Sequence, residues 1–201
     1  MTDTVHERVP QGMTVVADMS TDFLTKHIDW ARYGVVYADA SYNIGPAGVT
    51  IVVVRHELLG AARADAPVSL RWKTSQSAAP AHAVHMCGLS FDNAIAMGGV
   101  SEIESRSKAR SQILYSLIDS SDGYYQNSVS PSQRSATSVS FTLKNQLTDK
   151  FIYEASERNI IGLKAENSSK DSCRASLYNG MSFEGVFALT NFMQSFKERN
   201  P

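Results

Sequence analysis

The chain has 201 residues, of which 43% are hydrophobic, and a formal net charge of −1 at pH 7. This length accommodates one large hydrophobic core or two smaller ones. The near-zero charge gives no electrostatic argument for binding nucleic acid or an anionic membrane surface, and no apolar run approaches the roughly 20 residues that span a bilayer.

The two cysteines, Cys87 and Cys173, have neither the spacing of metal ligands nor the number of a disulfide framework. They favour two buried thiols in a reducing compartment. Residues 1–12 are polar with mixed charge, which is not typical of a signal peptide or a transit peptide. The sequence therefore predicts an intracellular protein, cytoplasmic or mitochondrial.

The first half of the chain predicts strands around one polar corner. Three apolar segments have strand character: Met13–Asp18, Tyr33–Ala40 and Val49–Arg55. The last two do not alternate polar with apolar residues, so we expect both to be covered on both faces in a mainly parallel sheet. Between them lie Ser41, Tyr42 and a Gly45-Pro46 turn. Glu57–Ala64 predicts a short helix.

The second half of the sequence predicts alternating helices and strands. The predicted helices are Ala81–Met97, Val100–Asp119, Thr148–Arg158 and Ser182–Glu198, and the predicted strands are Ser138–Leu143, Ile160–Leu163 and Cys173–Tyr178. The first of these helices is indicated by a helical pattern of Val84, Leu89, Phe91 and Ile95 among small residues. Ser120–Thr137 is a predicted connection. This order supports an α/β or α+β fold and by itself gives no function.

Several segments in this order resemble one enzyme family. Val16-Ala17-Asp18-Met19-Ser20-Thr21-Asp22-Phe23 is similar to V-A-D-M-S-S-D-F, and Asn43 to Thr50 is nearly identical to its counterpart. Arg174-Ala175-Ser176-Leu177-Tyr178-Asn179 is similar to R-A-S-I-Y-N. The family is that of the phosphoserine aminotransferases, fold-type I enzymes that use pyridoxal phosphate (PLP), and the resemblance runs from about Met13 to the C-terminus.

The resemblance implies the C-terminal part of a fold-type I aminotransferase. Residues 1–99 would be the remnant of the parallel sheet of the large PLP-binding domain together with a linking helix. Residues 100–201 would be the complete small α/β domain. The part of the family without a counterpart here is the N-terminal portion of the large domain, which holds the cofactor phosphate.

The resemblance also assigns cofactor residues. Asp18 takes the position of the carboxylate that pairs with the pyridinium nitrogen, although an Asp at a strand end also caps turns. Tyr42 stands where the family has the lysine that carries PLP as a Schiff base, and a phenol forms no imine. Ser41 replaces a glutamine, and Ser77 an asparagine that reaches the PLP phosphate across a dimer. We expect Tyr42 to fill emptied cofactor space rather than to take a new catalytic role.

On the substrate side, Arg174 keeps the position that binds the substrate carboxylate, or else it is a structural ion-pair residue. Glu166 and Asn167 align with the His and Arg that hold the substrate phosphate, and a carboxylate repels a phosphate. His82 and His85 lie three residues apart on a predicted helix with no third ligand evident, so we predict exposed histidines and no metal site.

These departures predict a catalytically inactive homologue, not an enzyme, that has lost PLP and is retained as a structural or interaction subunit. A truncated sheet exposes an apolar face, which predicts a protein partner in a homodimer or a multi-subunit complex. Two alternatives remain: a phosphoserine aminotransferase completed by another polypeptide, and a non-catalytic regulatory module that binds a small acid through Arg174.

Overall fold

The computed structural model describes residues 12–68, 71, 80–164 and 171–201. The elements in chain order are β1 (Val16–Asp18), β2 (Val35–Asp39), β3 (Thr50–Val54), α1 (Ala81–Ala96), α2 (Gly99–Asp119), β4 (Tyr125–Gln126), β5 (Ser138–Leu143), α3 (Thr148–Ser156), β6 (Ser172–Ser176) and α4 (Phe183–Arg199). Short 3₁₀ turns lie at Trp30–Arg32, His56–Leu58, Pro131–Gln133 and Lys144–Gln146.

The chain divides into two compact units within α2, one ending at Ile103 and the other comprising Glu104–Pro201. We call them the N-terminal unit and the C-terminal unit. The interpretation of residues 1–99 as the remnant of a large domain, and of residues 100–201 as a complete small domain, stays a prediction.

The N-terminal unit contains a three-stranded sheet in the order β1-β2-β3. β1 runs parallel to β2, with Asp18 opposite Tyr37. β3 runs antiparallel to β2, so the predicted parallel direction is wrong for this strand. The physical reason is the short corner, because a parallel connection needs about a dozen or more residues. Val52 and Val53 are 41% and 40% exposed, so the predicted cover on both faces is also wrong.

Helix α1 confirms the predicted helix, and its buried face is formed by small residues. Val84, Leu89 and Ile95 are exposed, whereas the small residues Ala83, Cys87 and Ala94 are buried. Small side chains let this helix approach the corner closely. A Cβ added at Gly45 would lie 2.8 Å from Cys87 Sγ, so the close approach requires glycine at that position.

The predicted helix over Glu57–Ala64 is wrong, because only a 3₁₀ turn over His56–Leu58 forms there. Leu59 caps this turn and Gly60 follows it, and glycine carries the largest backbone entropy cost in a helix.

The C-terminal unit packs helices against an antiparallel sheet in the order β4-β5-β6. Its core includes a cluster of aromatic rings with centroids 5.0–6.0 Å apart, formed by Tyr124, Tyr125, Phe141, Phe151, Phe192 and Phe196. β4 lies in the segment predicted as a connection. The predicted strand over Ile160–Leu163 is wrong, since Gly162 has a φ of +80° and only Lys164 forms a bridge, to Cys173.

Cys87 and Cys173 are both free and buried. Burial raises the pKa of the Cys173 thiol to about 12, so this thiol stays protonated and unreactive at neutral pH. The reducing compartment stays a prediction. Across residues 12–68, 71, 80–164 and 171–201, no helix combines the length and apolar character needed to cross a bilayer.

Candidate functional site

The corner between β2 and β3 is fixed by its own backbone. The amides of Ile44 and Gly45 both donate to the carbonyl oxygen of Ala40, at 3.0 and 2.8 Å. Asn43 Nδ2 donates to the carbonyl oxygen of Thr21 at 2.9 Å, which ties the corner to the segment after β1. Ala40 and Ile44 are buried beside Cys87. The polar segments that follow β1 and β2 are therefore fixed next to each other.

Asp18 ends β1 with a carboxylate that is held ionised. Its Oδ1 accepts hydrogen bonds from the Ser20 hydroxyl at 2.6 Å and the Ser20 amide at 2.9 Å. These two bonds, the hydroxyl first, lower the pKa of Asp18 below its ordinary value of 3.8, and the Tyr37 hydroxyl adds a smaller contribution. A carboxylate that accepts hydrogen bonds in its charged form remains negative at neutral pH.

Asp39 ends β2 in the same manner and is a residue of the corner that was not predicted from the sequence. Its Oδ1 accepts bonds from the Ser41 hydroxyl and from the Ser41 amide, and these lower its pKa. Its own amide donates to Ser20 Oγ at 3.0 Å, and the charge of Asp18 partly opposes the lowering. The missed signal is a repeated D-x-S pattern, Asp18-Met19-Ser20 and Asp39-Ala40-Ser41.

Of the predicted cofactor residues Asp18, Ser41, Tyr42 and Ser77, the structure brings two close together. Asp18 and Ser41 are brought together, through Ser20 and Asp39, at one end of the N-terminal sheet. Tyr42 follows Ser41 and is 41% exposed, so a large part of its side chain is open to solvent. Ser77 lies outside the described residues.

This set of side chains fits PLP in part. An ionised carboxylate suits a protonated pyridine nitrogen. The phenol of Tyr42 does not suit covalent attachment, because it offers no amine. The corner therefore fits a role in holding the ring and does not fit a Schiff base at residue 42.

Arg174 lies in β6 of the C-terminal unit, opposite Ser140 of β5. Its amide donates to the carbonyl oxygen of Leu163 at 2.9 Å, and its side chain is partly exposed. None of the ion pairs found across the described ranges involves Arg174. The structure thus gives no support to the alternative of a structural ion pair. Glu166 and Asn167 lie outside the described residues.

His82 and His85 are both exposed on α1. Within the part of the chain that the structure describes, no group of three or more His, Cys, Asp or Glu side chains is arranged to hold a metal ion.

Comparison with known proteins gives concordant matches. The family described as Aminotransferase class-V matches residues 1–189. The curated "Phosphoserine aminotransferase 2, chloroplastic" of Arabidopsis thaliana is 39% identical over 198 residues, which cover 95% of this chain and 46% of the relative. The solved phosphoserine aminotransferase from Bacillus circulans subsp. alkalophilus has a TM-score of 0.89 at 29% identity, covering 94% of this chain and 54% of that one.

A third match is the PLP-bound phosphoserine aminotransferase from Trichomonas vaginalis, with a TM-score of 0.82 at 24% identity, covering 92% of this chain and 55% of that one. This likeness supports the fold alone. The chain spans about half the length of the curated relatives that it matches.

The fold and the corner together define part of a PLP fold-type I aminotransferase. Two predictions are confirmed: the α/β fold class, and that the chain corresponds to the C-terminal part of such an enzyme. The chain belongs to the aminotransferase class-V family and, within it, groups with the phosphoserine aminotransferases. This family depends on PLP.

One prediction is corrected by these relatives. The prediction from the sequence was that the chain is not an enzyme, chiefly because Tyr42 replaces the lysine. That prediction is wrong: the matched proteins are named phosphoserine aminotransferases, which are enzymes. Substitutions at individual positions do not outweigh similarity along nearly the whole chain.

Proposed function

We propose that this chain supplies one half of a PLP-dependent aminotransferase of the phosphoserine aminotransferase type. The reaction would move an amino group between glutamate and the keto acid that corresponds to phosphoserine. The observation on which the proposal chiefly depends is the Asp18 carboxylate, held ionised by both the hydroxyl and the amide of Ser20 at the end of β1.

PLP supplies an aldehyde that takes up an amino group and a ring that withdraws electrons from the carbon bearing it. In this proposal Asp18 keeps the proton on the pyridine nitrogen, which the ring needs in order to withdraw electrons. Ser20 orients the Asp18 carboxylate and stabilises its charge. The retained carboxylate favours cofactor binding over the predicted loss of PLP.

In the C-terminal unit, Arg174 would bind the carboxylate of the amino-acid substrate. A guanidinium group offers two parallel N–H donors that match the two oxygens of a carboxylate. The absence of an ion pair to Arg174 among the described residues leaves those donors available.

The amine that receives PLP in the family is not provided by residue 42. Tyr42 contributes a phenol at the corner, so an assembly containing this chain must use an amine from another lysine or from the amino-acid substrate itself.

The exposed strands of the N-terminal unit support a polypeptide partner. Val16 in β1 is 60% exposed, and Val52 and Val53 in β3 are close to 40% exposed. Both β1 and β3 are edge strands of the three-stranded sheet, and bare apolar edges favour association. Because the relatives are about twice as long, we propose that a polypeptide segment corresponding to their other half, whether in the same chain or in another, covers these strands.

The test is to purify the chain with such a polypeptide and to measure PLP affinity and amino transfer from glutamate. Asp18→Asn keeps the size of the side chain and removes its charge. We expect PLP to bind about tenfold more weakly, the loss of one charge-assisted interaction. The matched control is Asp65→Asn, which alters an exposed carboxylate paired with Arg63 in the same unit. Equal PLP affinity in the wild type and Asp18→Asn would remove the main support for the proposal.

A second arm addresses residue 42. Borohydride reduction followed by peptide mass spectrometry reports where PLP is covalently attached. We expect an adduct at residue 42 in Tyr42→Lys and none at this position in the wild type or in Tyr42→Phe. An adduct at residue 42 in the wild type would contradict the assignment of Tyr42 as a non-attaching residue.

A second candidate function is favoured by the lack of an ion pair to Arg174 among the described residues. The chain would bind a small carboxylic acid as a regulatory module without reacting with it. L-glutamate should then raise the melting temperature of the chain alone, and Arg174→Ala should abolish the rise. A glutamate effect that survives Arg174→Ala would eliminate this candidate.

A further inference from the structure

Arg110 of α2 is a buried cation, and no carboxylate among the described residues pairs with it. The residue is only 5% exposed, and none of the ion pairs found among the described residues involves it. Burial, and then repulsion from Arg106, lower its pKa. A guanidinium group nevertheless stays protonated at any physiological pH, so this buried charge must be stabilised by neutral oxygen atoms.

Those oxygen atoms belong mainly to one bend of the backbone. Arg110 Nη1 donates to the carbonyl oxygens of Asn179, at 3.4 Å, and of Met181. Arg110 Nη2 donates to Ser107 Oγ at 3.1 Å, within the same helix. The guanidinium therefore connects α2 to a segment about 70 residues further along the chain.

The bend that Arg110 holds is the exit from the strand that carries Arg174. Leu177, directly after β6, donates its amide to the carbonyl oxygen of Thr137 at 2.8 Å. The chain then turns, with the Met181 amide donating to the carbonyl oxygen of Tyr178 at 2.8 Å, and Ser182 begins α4. Arg110 adds hydrogen bonds to this turn from a part of the chain that is distant in sequence.

We infer that Arg110 is a positioning residue for substrate binding, acting on Arg174 through the bend at residues 178–181. A substrate-binding side chain must be held to within about half an ångström of its productive geometry by a supporting shell. The planar guanidinium of Arg110 donates to two carbonyl oxygens and one hydroxyl from a rigid fork, a geometry that the compact ammonium group on the flexible stem of lysine does not provide. This inference rests on the proposed role of Arg174 in binding the substrate carboxylate.

The experiment measures the L-glutamate affinity of the full chain by isothermal titration, and the melting temperature of the same samples. Arg110→Lys keeps the charge and loses the fork of donors. We expect it to weaken glutamate binding about tenfold, the loss of roughly one charge-assisted hydrogen bond. Ser107→Ala removes one smaller contact of Arg110, and we expect a smaller change in the same direction. The matched control is Arg106→Lys, at an exposed position one turn earlier in α2, which should bind as the wild type does.

A second readout separates positioning from simple stabilisation. The side-chain Nε–Hε signal of Arg174, followed by NMR in the ligand-free chain, should move in Arg110→Lys and Ser107→Ala but not in Arg106→Lys. A lower melting temperature with unchanged glutamate affinity and an unmoved Arg174 signal would overturn the inference. Arg174→Ala tests the proposed role of Arg174 separately from that of Arg110. If Arg174→Ala leaves glutamate binding intact, the proposed role of Arg174 fails. If Arg174→Ala abolishes binding while Arg110→Lys has no effect, only the role of Arg110 fails.

Discussion

At the scale of single residues, two carboxylates and two serines control the charge at the corner. Asp18 and Asp39 are each followed two residues later by a serine that donates both its hydroxyl and its amide to the carboxylate. Ser20 also accepts the Asp39 amide, so it contacts both residues. The corner thus holds two negative charges close to each other at neutral pH, each stabilised locally.

The first prediction concerns Ser20. Replacing Ser20 with alanine removes the hydroxyl that is the largest cause of the lowered pKa of Asp18, so this pKa should rise toward 3.8. The carboxyl ¹³C chemical shift of Asp18, followed by NMR across the acidic range, measures the change.

The comparison variant for this prediction is Ser41→Ala, which removes the corresponding hydroxyl bond of Asp39. It should raise the pKa of Asp39 much more than that of Asp18. If Ser20→Ala leaves the titration of Asp18 where it is in the wild type, the Ser20 hydroxyl does not stabilise the charge.

Part of the corner could be predicted from sequence motifs. The V-A-D and N-I-G-P-A-G segments identified Asp18 and Tyr42 because these short motifs carry family information. Asp39 was missed because a strand-end Asp followed by a Ser is a common local turn pattern. Its proximity to Asp18 depends on the parallel pairing of β1 with β2, which no local pattern contains.

At the scale of elements, α4 shows how a helix start is encoded. Ser182 is its N-cap, and the Ser182 hydroxyl accepts a hydrogen bond from the Gly185 amide at 3.1 Å. Six residues of the helix are buried in the core of the C-terminal unit: Val186, Leu189, Thr190, Phe192, Met193 and Phe196. The cap and the apolar stripe are both visible in the sequence, so this helix was predicted to within one residue at each end.

The second prediction follows from this cap. Ser182→Ala should lower the free energy of unfolding by about 1 kcal/mol, because one amide at the start of α4 loses its acceptor. Urea denaturation followed by circular dichroism gives the value. Gln194→Ala, at an exposed position in the middle of the same helix, should change stability by less than about 0.5 kcal/mol. A Ser182→Ala variant as stable as Gln194→Ala would show that the cap has no energetic role.

Helix α1 shows a limit of prediction at the scale of an element. Periodicity located the helix correctly but did not show which of its side chains are buried. The corner requires a close approach at Gly45, so small residues occupy the buried face and Val84, Leu89 and Ile95 are left outside. The direction of β3 failed for a related reason, since continuous apolar runs are typical of parallel strands but do not encode strand direction.

At the scale of the whole molecule, hydrogen-bonded carboxylates determine how the stability of the fold changes in acid. The pKa values of Asp18, Asp39 and Asp119 are all lowered, the last chiefly by hydrogen bonds from Arg134 at 2.7 Å. A carboxyl group with a lower pKa in the folded chain stabilises the fold above its ordinary pKa of 3.8. That stabilisation is lost as the pH falls through the lowered value.

The third prediction is therefore a fall in melting temperature on acidification. The melting temperature should be nearly constant from pH 7 to about 5 and should decline steadily below about 4. Thermal denaturation in matched buffers measures it. Asp119→Asn should lower the melting temperature at pH 7 and flatten the decline below pH 4, because the variant has one fewer carboxylate to protonate. A variant with the same acid slope as the wild type would contradict the contribution of Asp119.

The family and the fold class of the whole chain could be predicted from ordered sequence motifs, and the comparisons confirm both. The prediction that the chain is not an enzyme was wrong, because the departures at Tyr42 and a few other positions were given more weight than the similarity around them. The positions of Asp39 and Arg110 were not predictable, since both depend on contacts between segments distant in sequence.

The division of the chain within α2 has an optical consequence. Both tryptophans, Trp30 and Trp72, precede Ile103, whereas five of the eight tyrosines follow it. Tyr125 is buried among the rings of the C-terminal core, where a fixed asymmetric environment produces near-ultraviolet circular dichroism. Tryptophan fluorescence therefore reports only on the N-terminal unit, and loss of tyrosine dichroism reports mainly on the C-terminal unit, so one unlabelled sample allows the unfolding of each to be followed separately.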